Sequence, residues 1–356
     1  MDGWVELWLT SKVARDKAYS NAETVVLDNS SILVKLIPEK GSDVVEILDK
    51  SKGVNLLYRS PLPFRLFGSL SPPLGTDDSA FLDYYEGGWQ DVLPNPGAAS
   101  SYKGARWGLH GESALLPWGF ELEETGEVSA VRLSTDLVRF PLRVDKRLSL
   151  REDEPVLRVE WEVENLGEEE VEFAWVQHIV FGRPVVGPGM RVDTRPTGCL
   201  AGDYGNSRIA PMSEFLWPRA PSREGPPIDL SLEPDGAKRF EDGVYLKMEE
   251  PWYALRNTKL GITVGVSWDS AVFPYLWYWL NNGVLGYPWW GRSYNLGLEP
   301  SSSPGEHGLR GYVERGNALH LRDGGSLKAH LSISLEHGAE PVTDVDGEGR
   351  IHTSRG

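Results

Sequence analysis

Short runs in which apolar and polar residues alternate dominate the chain, and turn residues break them every few positions. In the first third, residues 24–27, 31–37, 43–48 and 54–58 are separated by Asn29-Ser30, Lys40-Gly41 and Lys52-Gly53, which predicts an antiparallel meander. The same texture predicts strands over 128–133, 136–138, 142–150, 156–165 and 171–181, and again over 243–248, 253–257, 261–268 and 327–335. Within one of them Leu157, Val159, Trp161 and Val163 alternate with charged residues, so one face is buried and the other wet. Helical spacing is scarce.

Between 182 and 240 the texture changes, with 8 Gly and 9 Pro among 59 residues, close to the composition of low-complexity chain. This excursion also holds Met190, Val192, Leu200, Ile209, Phe215, Leu216 and Trp217, so it is expected to pack on the sheets as a wall or lid. The residues after 340 are polar and are expected to fray. Neither an internal repeat nor an interdomain linker is visible. Residues 1–340 therefore read as one large two-sheet β domain, with 341–356 as a polar tail.

Charge and composition then remove whole classes of function. With 36 Lys plus Arg against 52 Asp plus Glu, the net charge of −16 argues against a nucleic-acid backbone reader. The single cysteine, Cys199, excludes an internal disulfide and a thiolate zinc site and fits a reducing compartment. Residues 1–12 lack the basic start and apolar run of a signal peptide, and no stretch approaches about 18 apolar residues; the aromatic-rich 271–280 is short and holds Pro274. The expected location is cytoplasmic, with no membrane or nucleic-acid partner. The 14 Trp, 13 Tyr and 10 Phe are flat amphipathic rings suited to a core or a sugar-stacking cleft.

Phosphate-binding loops, the dinucleotide glycine fingerprint, HExxH and GxSxG are all missing from the sequence, and neither a metal nor a cofactor is expected. Four segments place polar groups where a plain sandwich calls for apolar ones. They are Gly87-Gly88-Trp89-Gln90-Asp91, with its turn-rich continuation to Gly97; Trp107-Gly108-Leu109-His110-Gly111-Glu112; Trp175-Val176-Gln177-His178-Ile179; and Tyr294-Asn295-Leu296-Gly297-Leu298-Glu299-Pro300.

Taken in this order, with the opening meander and its Lys40-Gly41-Ser42-Asp43 turn, these segments give a sequence that resembles the aldose 1-epimerase (galactose mutarotase-like) family over about 24–335, in particular its divergent bacterial branch. The resemblance implies an antiparallel two-layer β supersandwich with an open sugar cleft, and interconversion of the anomers of a free sugar. It implies Glu299 as the general base at the C1 hydroxyl, His178 as the acid at the ring oxygen, and His110 as the histidine that holds the substrate. A carboxylate raised by an apolar setting and a histidine titrating near neutrality suit that proton traffic. Relatives acting on sugar phosphates tend to carry Ala-Arg after His-Gly; Glu112-Ser113-Ala114 here implies an unphosphorylated sugar.

Substrate contact is expected from Trp89, Gln90, Arg106, Trp107, Glu112, Gln177, Trp290 and Arg292, although Trp89 and Trp107 read first as core. Asp242, Glu249 and Glu250 are alternatives for the family's sugar-gripping acid. The run from Phe273 to Trp279 reads as packing, or as a cleft wall. Two rival functions stand beside the first: a non-catalytic sugar-binding or sensing protein on the same sandwich, and a glycoside-cleaving enzyme using Glu112 and Glu299 at a separation of about 5–9.5 Å.

Overall fold

The computed structural model describes residues 10–66, 79–125, 128–234, 236 and 239–354. The N-terminal segment read for a leader lies outside the described residues up to residue 9. The protein is all-β, built on two large antiparallel sheets.

The larger sheet runs, edge to edge, through Thr10–Asp16, Ala22–Asp28, Ile32–Ile37, Asp43–Asp49, Trp89–Val92, Val176–Phe181, Tyr294–Ser301, Tyr275–Asn282, Phe240–Lys247, Gly198–Ala201 and Glu214–Phe215, with Val54–Asn55 added on Asp43–Asp49. The smaller runs through Met190–Thr194, Trp252–Asn257, Ile262–Trp268, Ser326–His337, Val156–Asn165, Leu142–Arg151, Val128–Asp136 and Gly119–Thr125. Their facing sides form one core in which Val34, Trp89, Val144, Trp161, Trp175 and Val264 are all buried. One ion pair crosses that core: Lys146 of the smaller sheet meets Asp91 of the larger at 2.8 Å, both side chains fully buried. Lys146 also reaches the Ser42 hydroxyl at 3.1 Å. Deleting one member of such a pair costs about 3–5 kcal/mol, because the other charge stays buried alone.

The described helices are short, Ser79–Leu82 and Gly308–Glu314. Several boundaries depart from the pattern. The expected strands 128–133 and 136–138 become one, Val128–Asp136, because Ser134 and Thr135 continue the ladder opposite Asp145 and Val144, while Leu137 and Val138 lie beyond its end. The expected strand 171–181 is two: Val171–Phe173 pairs with Leu319–Leu321, and Ala174 and Trp175 then turn into the large sheet, their amides bonded to the Pro94 carbonyl and the Ser302 hydroxyl. The excursion packs on the sheets through Met190, Val192 and Ile209, which are buried, whereas Leu216, expected to pack with them, is exposed; it also supplies edge strands to both sheets. The polar end does not fray. Val342–Val345 and Ile351–Thr353 form a hairpin whose Val342, Val345 and Ile351 cover Trp252 and Ala254.

Candidate active site

Register across the large sheet brings the chemistry together. Directly opposed residues on neighbouring strands share a face. Gln90 lies opposite His178, and the pairs Val176↔Ser301 and Val180↔Gly297 set His178 opposite Glu299. Glu299 lies opposite Trp277, which lies opposite Tyr245. One line of side chains, Gln90–His178–Glu299–Trp277–Tyr245, thus crosses five strands on the face turned away from the smaller sheet. A cleft of about 380 Å³ opens above it, within the range of small-molecule sites.

The protonation pattern of His178 follows from its neighbours. Gln90 turns its amide nitrogen to the Gly87 carbonyl at 2.6 Å and to Glu86 at 3.1 Å, both acceptors, so its Oε1 is left to accept from His178 Nδ1 at 3.0 Å. That fixes the Nδ1–H tautomer and leaves Nε2 bare. Nε2 stands 3.8 Å from Glu299 Oε1. Burial holds His178 well below its ordinary value, with His110 and Lys40 adding to the effect. Burial likewise holds Glu299 well above the usual carboxylate range, helped by Glu306. Both directions favour a neutral pair, a carboxylic acid facing a bare imidazole nitrogen. Gly297 makes room for this carboxyl group: a Cβ there would fall on Glu299 Oε1.

His110 carries the opposite tautomer. Its backbone is left-handed at φ 62°, followed by Gly111 at 73°, where a Cβ would stand 2.7 Å from the Leu93 carbonyl, so the turn requires glycine after the histidine. The Gly97 amide donates to His110 Nδ1 at 3.1 Å, which places the proton of the neutral ring on Nε2 as a donor. Burial pulls this histidine down to about 4. Its ring packs edge-on against Phe81 and lies 5.3 Å from that of His178.

Behind the pair lies a buried charge cluster in which Lys40 meets Asp43 at 2.6 Å and Glu86 at 2.7 Å. Burial lowers the Lys40 ammonium, but the two carboxylates outweigh it and hold it above its usual value. Burial raises Asp43 well above its own, against the pull of Lys40.

Aromatic rings and carboxylates wall the cleft: Tyr85, Tyr204, Trp279 and Trp289 stand with Glu241 and Glu306 around the pair, and no described lining residue is Lys or Arg. Trp279 donates to Glu241 at 2.7 Å, and Tyr204, from the excursion, donates to Glu306. Burial raises Glu241. Glu306 opens to the mouth of the cleft; the surrounding walls push it up to about 7, against the Tyr204 hydrogen bond and with Glu241 adding to the rise. The Tyr85 hydroxyl, buried at the cleft, has no hydrogen-bond partner.

The expected catalytic trio, Glu299, His178 and His110, therefore lines one cleft, but the expected substrate contacts do not. Trp89 and Trp107 are core, their indole nitrogens donating to Gln177 and Glu112. Gln177 points from its strand into the core, opposite in sense to His178, and bonds Asp91 at 2.8 Å. Gln90 sits behind His178 as its acceptor. Both oxygens of Glu112 are taken by the Trp107 indole and the amides of Val138 and Arg139, which removes the Glu112–Glu299 pair of a glycoside-cleaving enzyme. Arg106 borders a different surface cavity beside Arg310 and Arg315. Trp290 is 63% exposed and Arg292 is exposed; their neighbour Trp289 lines the cleft instead.

None of the three candidates for the gripping acid reaches the site. Asp242 is held by Arg208 and Ser207, and Glu249 and Glu250 border a cavity near the C-terminal hairpin. Tyr85, Tyr204, Glu241, Tyr245 and Glu306 escaped the sequence reading. For Glu241 and Tyr245 a signal existed, since Glu241, Gly243 and Tyr245 alternate onto one face; Tyr204 and Glu306 sit in irregular chain and carry none.

The family model described as Domain of unknown function (DUF4432) matches residues 20–335. No curated protein matches this sequence. Among solved structures, a provisionally assigned aldose 1-epimerase from Klebsiella pneumoniae superposes with a TM-score of 0.69 at 16% identity, covering 93% of this chain and 83% of its own. A galactose mutarotase-like protein from Clostridium acetobutylicum gives 0.63 at 16% identity, covering 93% and 99%. A galactose mutarotase related enzyme from Lactobacillus acidophilus gives 0.60 at 16%, covering 90% and 99%. At such identities the likeness is one of fold: this chain has the galactose mutarotase-like supersandwich that its sequence resembles. No described helix is long and apolar enough to cross a membrane.

Proposed function

This chain belongs to the DUF4432 family, and we propose that it interconverts the anomers of a free, unphosphorylated sugar by general acid–base ring opening and closure. The observation that carries the reading is the His178–Glu299 pair, 3.8 Å apart on one face of the sheet in a cleft with aromatic walls and no described cationic lining.

With the proton resting on Glu299, bare Nε2 of His178 takes the proton of the C1 hydroxyl while Glu299 gives its own to the ring oxygen. The ring opens to an aldehyde, and rotation about C1–C2 turns the other carbonyl face to the C5 hydroxyl. Reclosure returns the hydroxyl proton to Glu299 and the imidazolium proton to the new C1 oxygen, restoring both groups. This reverses the roles inferred from the family resemblance, Glu299 as base and His178 as acid, because burial of both groups favours the neutral pair. His110, neutral with its proton on Nε2, donates a hydrogen bond to a sugar oxygen. The absence of a described lining cation supports an uncharged substrate.

The test is saturation-transfer NMR of anomer exchange across a panel of free sugars, with the native chain beside Glu299→Gln and His178→Ala. Exchange accelerated by the native chain and lowered about 10²–10⁴-fold in the variants is expected. Sugar binding with no acceleration would instead establish a non-catalytic binding protein.

A further inference from the structure

We propose that the cleft is the first of two sugar subsites, and that an adjoining groove on the same sheet face holds the second ring of a reducing oligosaccharide; this rests on the anomer-exchange reading. Along the strand Tyr275–Asn282, residues Tyr275, Trp277 and Trp279 fall on one face at steps of about 7 Å. Trp277 and Trp279 line the cleft, whereas Tyr275 lines a second cavity of about 530 Å³. On the neighbouring strand Tyr245 lines both cavities and Lys247 the second. Tyr245 and Trp277 are buried and meet edge to face at 5.6 Å, and Tyr245, bordering both cavities, places the groove beside the catalytic pair on the same sheet face.

The groove's own chemistry fits a pyranose. Tyr275 offers a ring face for sugar C–H groups, while Thr197, Glu214 and Lys247 place a hydroxyl, a carboxylate and an ammonium around it for sugar hydroxyls. Phe215 and Leu216 of the excursion also border this cavity. With C1 over His178 and Glu299, the next ring of the chain lies toward Tyr275 and Lys247, which face Ser301 and one another in the adjoining line of the sheet. No bond to the second ring is made or broken; it contributes binding alone.

Anomer exchange and binding are measured for glucose, galactose and the reducing disaccharides maltose, cellobiose and lactose, with the native chain, Tyr275→Ala and Lys247→Ala. A KM about tenfold lower for a disaccharide than for its parent monosaccharide is expected. Tyr275→Ala should abolish that advantage and leave monosaccharide kinetics unchanged. Equal KM values for mono- and disaccharides in the native chain, or a Tyr275→Ala effect of equal size on both, overturns the subsite. If no sugar shows exchange, the catalytic reading fails and binding decides alone: disaccharide affinity lost in Tyr275→Ala supports the subsite, and absence of disaccharide binding overturns it.

Discussion

Replacing Gln90 by Met keeps the volume behind His178 and removes the single acceptor that holds its Nδ1 proton, 3.0 Å away. His178 is 5% exposed, so the abandoned donor meets little water. An unmet buried donor costs about 1–3 kcal/mol, and the imidazole avoids that cost by moving its proton to Nε2. The Nδ1–H population then falls by about 5- to 150-fold, and with it the fraction of molecules whose Nε2 can accept the C1 hydroxyl proton. The exchange rate at saturating sugar is expected to drop by the same factor, with KM little changed. Nitrogen-15 shifts of the ring report the tautomer directly, and thermal unfolding shows whether the variant remains folded. A folded Gln90→Met protein that keeps the Nδ1–H tautomer and the native rate would refute this account of how His178 is set.

Gly297→Ala puts a methyl group where Glu299 Oε1 lies, and displacing the carboxyl by about an ångström should lower turnover on the order of 10²-fold, read by the same NMR exchange. Glu112→Ala strips the acceptor from the Trp107 indole and the amides of Val138 and Arg139; urea unfolding should show a loss of at least about 2 kcal/mol with KM unchanged, the reverse of what a substrate contact would give. His110 is depressed from 6.5 to about 4 by burial, so between those values the unfolded chain binds the extra proton. Its contribution to stability is present above pH 6.5 and is lost as pH falls toward 4. Melting temperatures of the native chain should fall more steeply across that window than those of His110→Asn.

The strands were legible wherever one face meets the core and the other meets water, as in Val156–Asn165, whose burial alternates along its length. Strands with both faces covered hid better. Tyr294–Ser301 is almost wholly buried, and Tyr275–Asn282 reads as a mass of aromatics because the cleft face carries tryptophans as large as those of the core. Composition could not separate Trp89, which is core, from Trp279, which walls the cleft; register could. The same two-residue period explains the error at Gln177, whose neighbour His178 faces the cleft while Gln177 itself faces the core. His178, Glu299 and His110 were reachable because each is a polar group set in an apolar strand or a glycine-rich turn, and the family resemblance supplied their roles. Tyr204 and Glu306 come together from irregular segments that only the folded chain brings close.

The line from Gln90 to Tyr245 ties the chemistry to the parity of the strands that carry it. One residue inserted into Val176–Phe181 or Tyr294–Ser301 ahead of the functional side chain would turn that side chain into the core and present its apolar neighbour to the sugar. An insertion of two would restore the facing while moving the group one step along the strand. The protein's tolerance of length changes in these two central strands should thus alternate between odd and even, whereas the edge strands contributed by the excursion, which carry neither member of the pair, should show no such alternation.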